Sequence, residues 1–403
     1  MHTASTRPTR LAWMFHLGHG HYTQFLNFQE CAEQEVAERS VWLGLSGYSS
    51  GSRLSGLPLL PATIRWQLNQ VWHARNGLAQ LQRGDAVLFA SEPQLYWLPM
   101  LQQFRPYWYT DLTPSLMAGL APWYDALLKR NRRMFGVKLK IRRQVVKAFH
   151  RVITMSEWAA NGVRRDYGVP ADRVHAILPG ANLKRWHLVD RSQRRGGPTR
   201  ILLVGGQFQL KGGPLLLDWA ETTASRNWEI DIVTWPGELP AWIQERLGNP
   251  GMHDKVTASL APRLPNVRVH CGLTANTPEL MALYRDADVF CLPTRADGSS
   301  IASLEAMATG LPVIVGGVGG IPELFEHGHT GFLVRPGNAV DLGSALDALV
   351  ADQGLRLRVG HAARAACEDH LNTERQVREI AATIDLDGPA TERSRFQPAH
   401  ATA

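Results

Sequence analysis

The chain has 403 residues, 44% hydrophobic and 20% charged, which excludes a disordered or fibrous protein and leaves room for two domains with sizeable cores. Its formal net charge of +7 suits a membrane surface, a nucleic acid or an anionic small substrate alike. No run of about 18 apolar residues occurs, so no membrane-spanning helix is expected, and LAWMF followed by GHGH is too short an apolar stretch for a signal peptide.

Taken in order, residues 1–9 read as a disordered start and Leu11–His16 as a first buried strand. The loop after it holds Gly18, His19, Gly20 and His21, a pattern that serves a close ligand approach and a tight strand-to-helix turn equally well. Val41–Leu45 reads as a strand, residues 47–56 as a flexible Ser/Gly loop, and Thr63–Leu81 as a helix. Ala86–Ala90 and the aromatic run Pro106–Tyr109 are further strands. Asp111 closes the second of these, either as a functional strand-end carboxylate or as the cap of the next helix.

Residues 129–151 (KRNRRMFGVKLKIRRQVVKAFHR) contain no acid and interleave cations with apolar residues. Such a basic amphipathic helix reads as an interfacial anchor on an anionic membrane, with Arg132, Arg133, Lys138, Arg142 and Arg143 as the contacts. Nucleic acid is a competing partner, though none is expected. The plain alternative is a solvated helix packing Val145, Val146 and Phe149 into the core. Val152–Met155 is another strand, and Ser156 is placed to cap the helix that follows.

The polar, basic, Gly-rich residues 191–200 read as a linker between a first domain (1–190) and a second (201–372). The second opens on strand Ile201–Val204 and a loop from Gly205 to Gly213 that carries Gly206, Gln207 and Lys211 ahead of a helix. A lysine there suits a phosphate, although the P-loop spacing is absent. Ile230–Thr234 and Val267–His270 are strands, and Glu279–Asp286 is a helix. Asp286 and Asp288 form a DxD only superficially, because they fall at a helix-to-strand junction. Thr373–Ile384 is a last helix, within residues 373–387, and 388–403 read as a disordered tail.

The most informative stretch is VFCLPTRADGSSIASLEAMATGLPVIVGGVGGIPE, residues 289–323. It predicts two buried parallel strands, Val289–Leu292 and Val313–Val315, around a helix that begins near Ser300 and stops at Gly310. Ligands of open parallel sheets sit beyond the carboxyl ends of the strands, so the backbone amides of Ser299, Ser300 and Ile301 are expected to meet an anion. Glu305 has apolar neighbours on most sides of its helix. It is expected to be partly buried, as a hydroxyl acceptor rather than a surface residue.

Asp297, the seven residues after it, Glu305, and then AMATGLPVI and GGIPE resemble the donor-site signature of the retaining glycosyltransferases of family four. The family usually has Glu at both ends of this spacing, where this chain has Asp297 at the first. The resemblance implies an α/β GT-B architecture: two Rossmann-like domains facing a central cleft, with a C-terminal helix crossing back to the first domain. It implies that Gly18, Gly20, Gly206, Gln207, Leu273, Gly298 and the amides at Ser299–Ile301 line the donor site, with Leu273 at the nucleobase. Lys211 would hold the donor diphosphate, Asp297 and Asp111 the transferred sugar, and Glu305 the ribose hydroxyls. The family's second phosphate cation falls at Gly206 or Gln207 and is missing here, with Arg295 as a substitute.

The expected reaction is transfer of a sugar, with retained anomeric configuration, from a nucleotide-diphosphate sugar to a cell-envelope glycan, glycolipid or small glycoside. No metal and no cofactor other than the co-substrate is expected. A nucleotide-sugar epimerase on the same fold, or a non-catalytic scaffold binding membrane or nucleic acid, are the alternatives. The four cysteines, none in a CxxC spacing, are expected to be reduced core thiols of a cytoplasmic protein, peripheral on the inner face of the cell membrane.

Overall fold

The computed structural model describes residues 10–17, 20–45, 62–90, 102–120, 132–194, 196–235, 239, 241, 243, 256–260 and 264–384. Residues 1–9, Gly18, the 47–56 loop, the start of the basic segment and the 388–403 tail lie outside them.

The first domain is built on β1 (Leu11–His16), β2 (Ser40–Leu45), β3 (Ala86–Ala90), β4 (Arg105–Thr110), β5 (Arg151–Thr154) and β6 (Val174–Ala176). They form one parallel sheet in the order β2-β1-β3-β4-β5-β6. Its helices are α1 (Gly20–Cys31), α2 (Gln34–Arg39), α3 (Ala62–Leu78), α4 (Pro114–Leu120), α5 (Arg132–Lys147) and α6 (Glu157–Tyr167). Every residue of β3 is buried, as is all of β1 up to Phe15, because helices cover both faces of the sheet.

The second domain contains β7 (Thr199–Val204), β8 (Trp228–Thr234), β9 (Val256–Leu260), β10 (Leu264–Cys271), β11 (Val289–Leu292), β12 (Val313–Gly316) and β13 (Phe332–Val334). The order is β13-β12-β11-β7-β8-β10-β9, parallel throughout except for β9, which runs antiparallel to β10. Its helices are α7 (Gly213–Thr222), α8 (Pro278–Asp286), α9 (Ile301–Ala308), α10 (Ala339–Ala351) and α11 (Gln353–Asp369). The four cysteines, one in the first domain and three in the second, are buried and unpaired.

A last helix, α12 (Thr373–Thr383), returns to the first domain. Its Val377, Ile380 and Ala381, with Ile384 just beyond, pack in one cluster with Leu11, Trp13, Phe15 and Tyr109. Gln376 donates to the Tyr109 hydroxyl at 2.8 Å, and the Tyr107 hydroxyl donates to the carbonyl of Ile384 at 3.1 Å. This is the GT-B arrangement that the signature implies.

The chain enters the second core ahead of residues 191–200. Ile177 packs in the first domain, whereas Ala181 and Trp186 pack in the second. Ala181 also pairs with the outgoing chain, its N–H donating to Leu371 at 2.8 Å and its carbonyl accepting from Thr373 at 2.9 Å. Arg191 is buried and donates to the carbonyls of Tyr284 (2.9 Å) and Ala287 (2.8 Å). Arg194 donates to those of Arg285 (2.6 Å) and Asp286 (2.8 Å). A helix leaves its last carbonyls without internal partners, and these two arginines satisfy them at the end of α8. Asp288 pairs with Arg194 at 2.9 Å and accepts the N–H of Arg200 at 3.0 Å, so it holds the chain rather than a ligand.

Candidate functional site

Each sheet has a central point at which the strand order reverses. In the second sheet β7 and β11 are neighbours, while the chain runs from β7 to β8 on one side and from β11 to β12 on the other. The loops leaving such a pair diverge and leave a crevice beyond their carboxyl ends. Lys211 comes from the loop after β7, and Asp297 from the loop after β11. The two loops are joined by the N–H of Arg295 donating to Leu210 at 2.9 Å. The aliphatic stem of Lys211 lies over Gly205, where a Cβ would come within 2.7 Å of its Cγ. Its ammonium forms an ion pair with Oδ2 of Asp297.

Burial pushes the Asp297 carboxyl above its ordinary range, and Asp111 adds to this, while Lys211 and the N–H of Gly298 oppose it. Asp111 belongs to the other domain, one residue past β4. A Cβ on Gly298 would lie 2.7 Å from Oδ2 of Asp111 and 2.9 Å from its carbonyl oxygen. The absence of a side chain at Gly298 therefore lets the two domains meet at this point.

Ser300 caps α9. Its side chain accepts from the N–H of Ser303 and lies 2.7 Å from the Ser303 hydroxyl. The hydroxyl of Ser299 is buried without a hydrogen-bond partner. The first amides of α9 are among those a helix leaves unsatisfied, and they follow Asp297, the partner of Lys211, within a few residues. One helical turn on, Glu305 is 5% exposed and accepts from the Tyr284 hydroxyl at 3.1 Å. Burial raises its pKa to about 8, with the Tyr284 hydrogen bond as the opposing influence.

A second interdomain contact lies beside the first. The carboxylate of Glu323 accepts the N–H groups of Glu157 (2.7 Å) and Trp158 (2.8 Å), the first turn of α6. Ser156 caps the same helix from within, accepting from Ala159. A carboxylate at a helix N-terminus meets both the free amides and the positive end of the helix dipole.

Among the remaining sequence candidates, Gly20 opens α1, and a side chain there would meet open space. The carbonyl of Gly206 accepts from the Thr234 hydroxyl (3.2 Å) and the N–H of Trp235 (3.3 Å), which ties its loop to the end of β8. Gln207 is half-buried. Leu273 is also half-buried and follows Gly272, which has φ +75°. The Arg295 guanidinium lies against Gly337, where a Cβ would be 3.5 Å away. Gly18 lies outside the described residues. Sequence reasoning assigned nothing to Glu323, Tyr284, Trp235 or Asn276, whose side chain reaches Asn27 of the first domain at 3.3 Å. Only a φ of +61° on a non-glycine residue marks Asn276, and this is invisible in sequence.

On α5, Val137 and Ile141 are exposed large apolar residues, and Lys138 and Lys140 are exposed beside them. Val145 and Val146, with Phe149 just past the helix, are buried in the core. Arg143 donates to the carbonyl of Asp166 at 2.6 Å, so its head is engaged by α6, and the side chains of Arg132 and Arg133 lie outside the described residues. Among the described residues no helix is long and apolar enough to cross a membrane. Among them, too, no group of three or more His, Cys, Asp or Glu is placed to hold a metal ion.

Residues 247–366 match the family described as glycosyl transferases group 1. Over 231 residues the chain is 30% identical to the D-inositol 3-phosphate glycosyltransferase of Pseudarthrobacter chlorophenolicus, which covers 55% of this chain and 52% of that protein. Over 228 residues it is 32% identical to the protein of the same name from Kribbella flavida, covering 55% of this chain and 53% of that one. The chain thus matches about half the length of these curated relatives. Among solved structures, sucrose-phosphate synthase from Thermosynechococcus elongatus superposes with a TM-score of 0.66 at 18% identity, over 93% of this chain and 98% of that one. HepE of Anabaena, solved in complex with UDP, gives 0.65 at 16% identity, over 93% and 99%. At these identities the likeness is one of fold.

Proposed function

From the GT-B fold and the match of residues 247–366 to the glycosyl transferases group 1, we propose that the chain transfers a sugar from a nucleoside-diphosphate sugar to an acceptor with retention of anomeric configuration. One observation carries this reading. At the β7–β11 crevice a lysine, a helix start and two carboxylates converge, one of the carboxylates supplied by the opposite domain. The fold relative HepE was solved with UDP and with UDP-glucose, which supports a donor of that class here.

The donor diphosphate would take the Lys211 ammonium from Asp297 and lie against the amides at Ser299–Ile301. Charge that develops on the leaving diphosphate is then met by groups already in place. Asp297, released from its ion pair, would accept from hydroxyls of the sugar, and Asp111 would orient the sugar from the other side of the cleft. Glu305 would accept from the ribose. The acceptor hydroxyl attacks the anomeric carbon from the face the diphosphate leaves. Its proton passes to the departing phosphate oxygen, so no second protein carboxylate is required as nucleophile.

The acceptor is proposed to be a cell-envelope glycan, a glycolipid or a small glycoside, approached from the first domain. The exposed Val137, Lys138, Lys140 and Ile141 of α5 support a peripheral seat on an anionic membrane surface, with the apolar pair inserted and the lysines on the headgroups.

The test is a thermal-shift screen of nucleotide sugars, followed by an assay of sugar transfer and of donor turnover without acceptor. Lys211→Ala and Asp111→Asn should abolish transfer. Turnover of donor to an isomeric donor, with no acceptor present, would instead make the protein an epimerase. Stabilisation by no nucleotide sugar would overturn the reading.

A further inference from the structure

Asp111 reaches the cleft from a short turn between β4 and α4, and the side chains on either side of it fix that turn. The Thr110 hydroxyl donates to the carbonyl of Leu112 at 2.8 Å. The Thr113 hydroxyl accepts from the N–H of Leu116 at 3.3 Å, and the Thr113 carbonyl accepts from Met117 at 3.0 Å, so Thr113 and not Asp111 caps α4. The same hydroxyl donates to Oδ2 of Asp166, and both side chains are buried.

Asp166 is costly where it stands. It lies in the last turn of α6, where a carboxylate meets the negative end of the helix dipole, and burial adds to that cost unless hydrogen bonds offset it. Its Oδ1 accepts from Arg165 at 3.0 Å and its carbonyl accepts from Arg143 of α5 at 2.6 Å, so both its side chain and its backbone are held. One turn earlier on the same face of α6, Gly162 leaves room for Leu116, which a side chain there would strike. Thus α4 is fastened to α6 at its cap and first turn, while its last residue, Leu120, packs against the core of the second domain.

These contacts close a ring across the cleft. The first turn of α6 receives Glu323 of the second domain, and its last turn holds the cap behind Asp111. Asp111 lies against Gly298, and the Gly298 carbonyl accepts at 3.0 Å from the N–H of Gly320, three residues before Glu323. We infer that Asp166 is a positioning residue for transfer: through the Thr113 hydroxyl it sets the turn that carries Asp111 into the cleft. This rests on the sugar-transfer reading and adds the group that places the first domain's carboxylate.

The experiment follows release of UDP, GDP or ADP by the full chain from a panel of their hexose conjugates, for wild type, Thr113→Val, Thr113→Ser, Asp166→Ala and the double variant Thr113→Val with Asp166→Ala, beside hydrogen exchange of the backbone. Thr113→Val and Asp166→Ala should each lower kcat by about ten-fold or more, with KM for the donor within about two-fold of wild type, because the groups proposed to hold the diphosphate lie in the second domain. The double variant should be no slower than either single one, and Thr113→Ser should keep most of the wild-type rate. Exchange should rise at residues 111–117 and stay unchanged along β3 and β5. Rates equal to wild type for both single variants overturn the positioning role and leave the sugar-transfer reading standing. Losses that add in the double variant, or exchange that rises throughout the first sheet, also overturn it, because the two residues would then act separately or on the fold as a whole. Release of no nucleoside diphosphate by wild type overturns both.

Discussion

The phenol of Tyr284 donates to Oε2 of Glu305 across 3.1 Å, and both side chains are buried. A carboxyl in such a place keeps its proton well above the ordinary value of 4.5, here to about 8. The native state therefore binds this proton more tightly than the unfolded chain does. The stability it contributes is complete below pH 4.5 and is lost as pH rises through 8. At about 1.4 kcal/mol per unit, the loss across that window is on the order of a few kcal/mol. Denaturant titrations at pH 5 and pH 8.5 should show wild type losing stability with pH, and Glu305→Gln losing markedly less. Equal slopes in the two proteins would show that Glu305 is not the group responsible. Asp297, also raised, contributes in the same direction and accounts for part of any slope that remains.

The Lys211–Asp297 pair makes a different prediction, because each group compensates the other. Lys211→Met should cost transfer about a hundred-fold or more through loss of phosphate stabilisation. It should also cost about 3–5 kcal/mol of stability, as an uncompensated carboxylate is left in the crevice. Adding Asp297→Asn should recover most of the stability and none of the activity. A double-mutant cycle in denaturant, run beside the assay, separates the two effects.

Two contacts join the domains at the cleft floor, and both are testable. Gly298→Ala would place a methyl 2.7 Å from Oδ2 of Asp111, so the domains must part or the loop must shift. Transfer should fall at least about ten-fold with little change in Tm, since the substitution lies between the cores rather than within one. Glu323→Ala removes the acceptor for two amides of α6 and should cost about 1 kcal/mol. Its clearer signature is a raised KM for the donor and a larger radius of gyration in small-angle scattering. An unchanged radius would show that this contact does not hold the domains together.

Vesicle flotation addresses α5. Vesicles with an anionic lipid should carry the protein, less at high salt, and neutral vesicles should not. Each exposed lysine near such a surface is worth about 1 kcal/mol, so Lys138→Gln with Lys140→Gln should weaken recruitment by more than ten-fold. Val137→Ser with Ile141→Ser should weaken it at all salt concentrations, because insertion of apolar side chains is not screened. Recruitment unaltered by both pairs would remove α5 from the membrane contact.

The strands of both sheets were legible because burial on both faces demands uninterrupted apolar runs, as in AVLFA and VFCL. Lys211 and Glu305 were legible because each breaks a local pattern, a cation among glycines and a carboxylate in an apolar helix. What could not be read was adjacency. Tyr284 meets Glu305 only because α8 packs on β7 and α9 on its neighbour β11, and Trp235 reaches Gly206 only because β8 lies beside β7. Glu323 sits in the quoted GGIPE run, yet its partners are 165 and 166 residues away in the other domain. β9 escaped notice as an edge strand that breaks the parallel pattern, and β13 because it is only three residues long. Residues 191–200 read as a linker because polarity and glycine mark loops, while the carbonyls that hold Arg191 and Arg194 belong to a helix about ninety residues further on.

Those two arginines relocate the pivot of the molecule. With the Gly-rich stretch clamped to the end of α8, it travels with the second domain and absorbs no rotation. The backbone passes between the two cores only near Gly180–Ala181 and near Asn372–Thr373, and these passages are hydrogen-bonded to one another. Any change in the angle between the domains must therefore be taken up at this laced crossing. Lengthening the glycine stretch would leave the crossing untouched, whereas a single proline at Thr373 would unlace it.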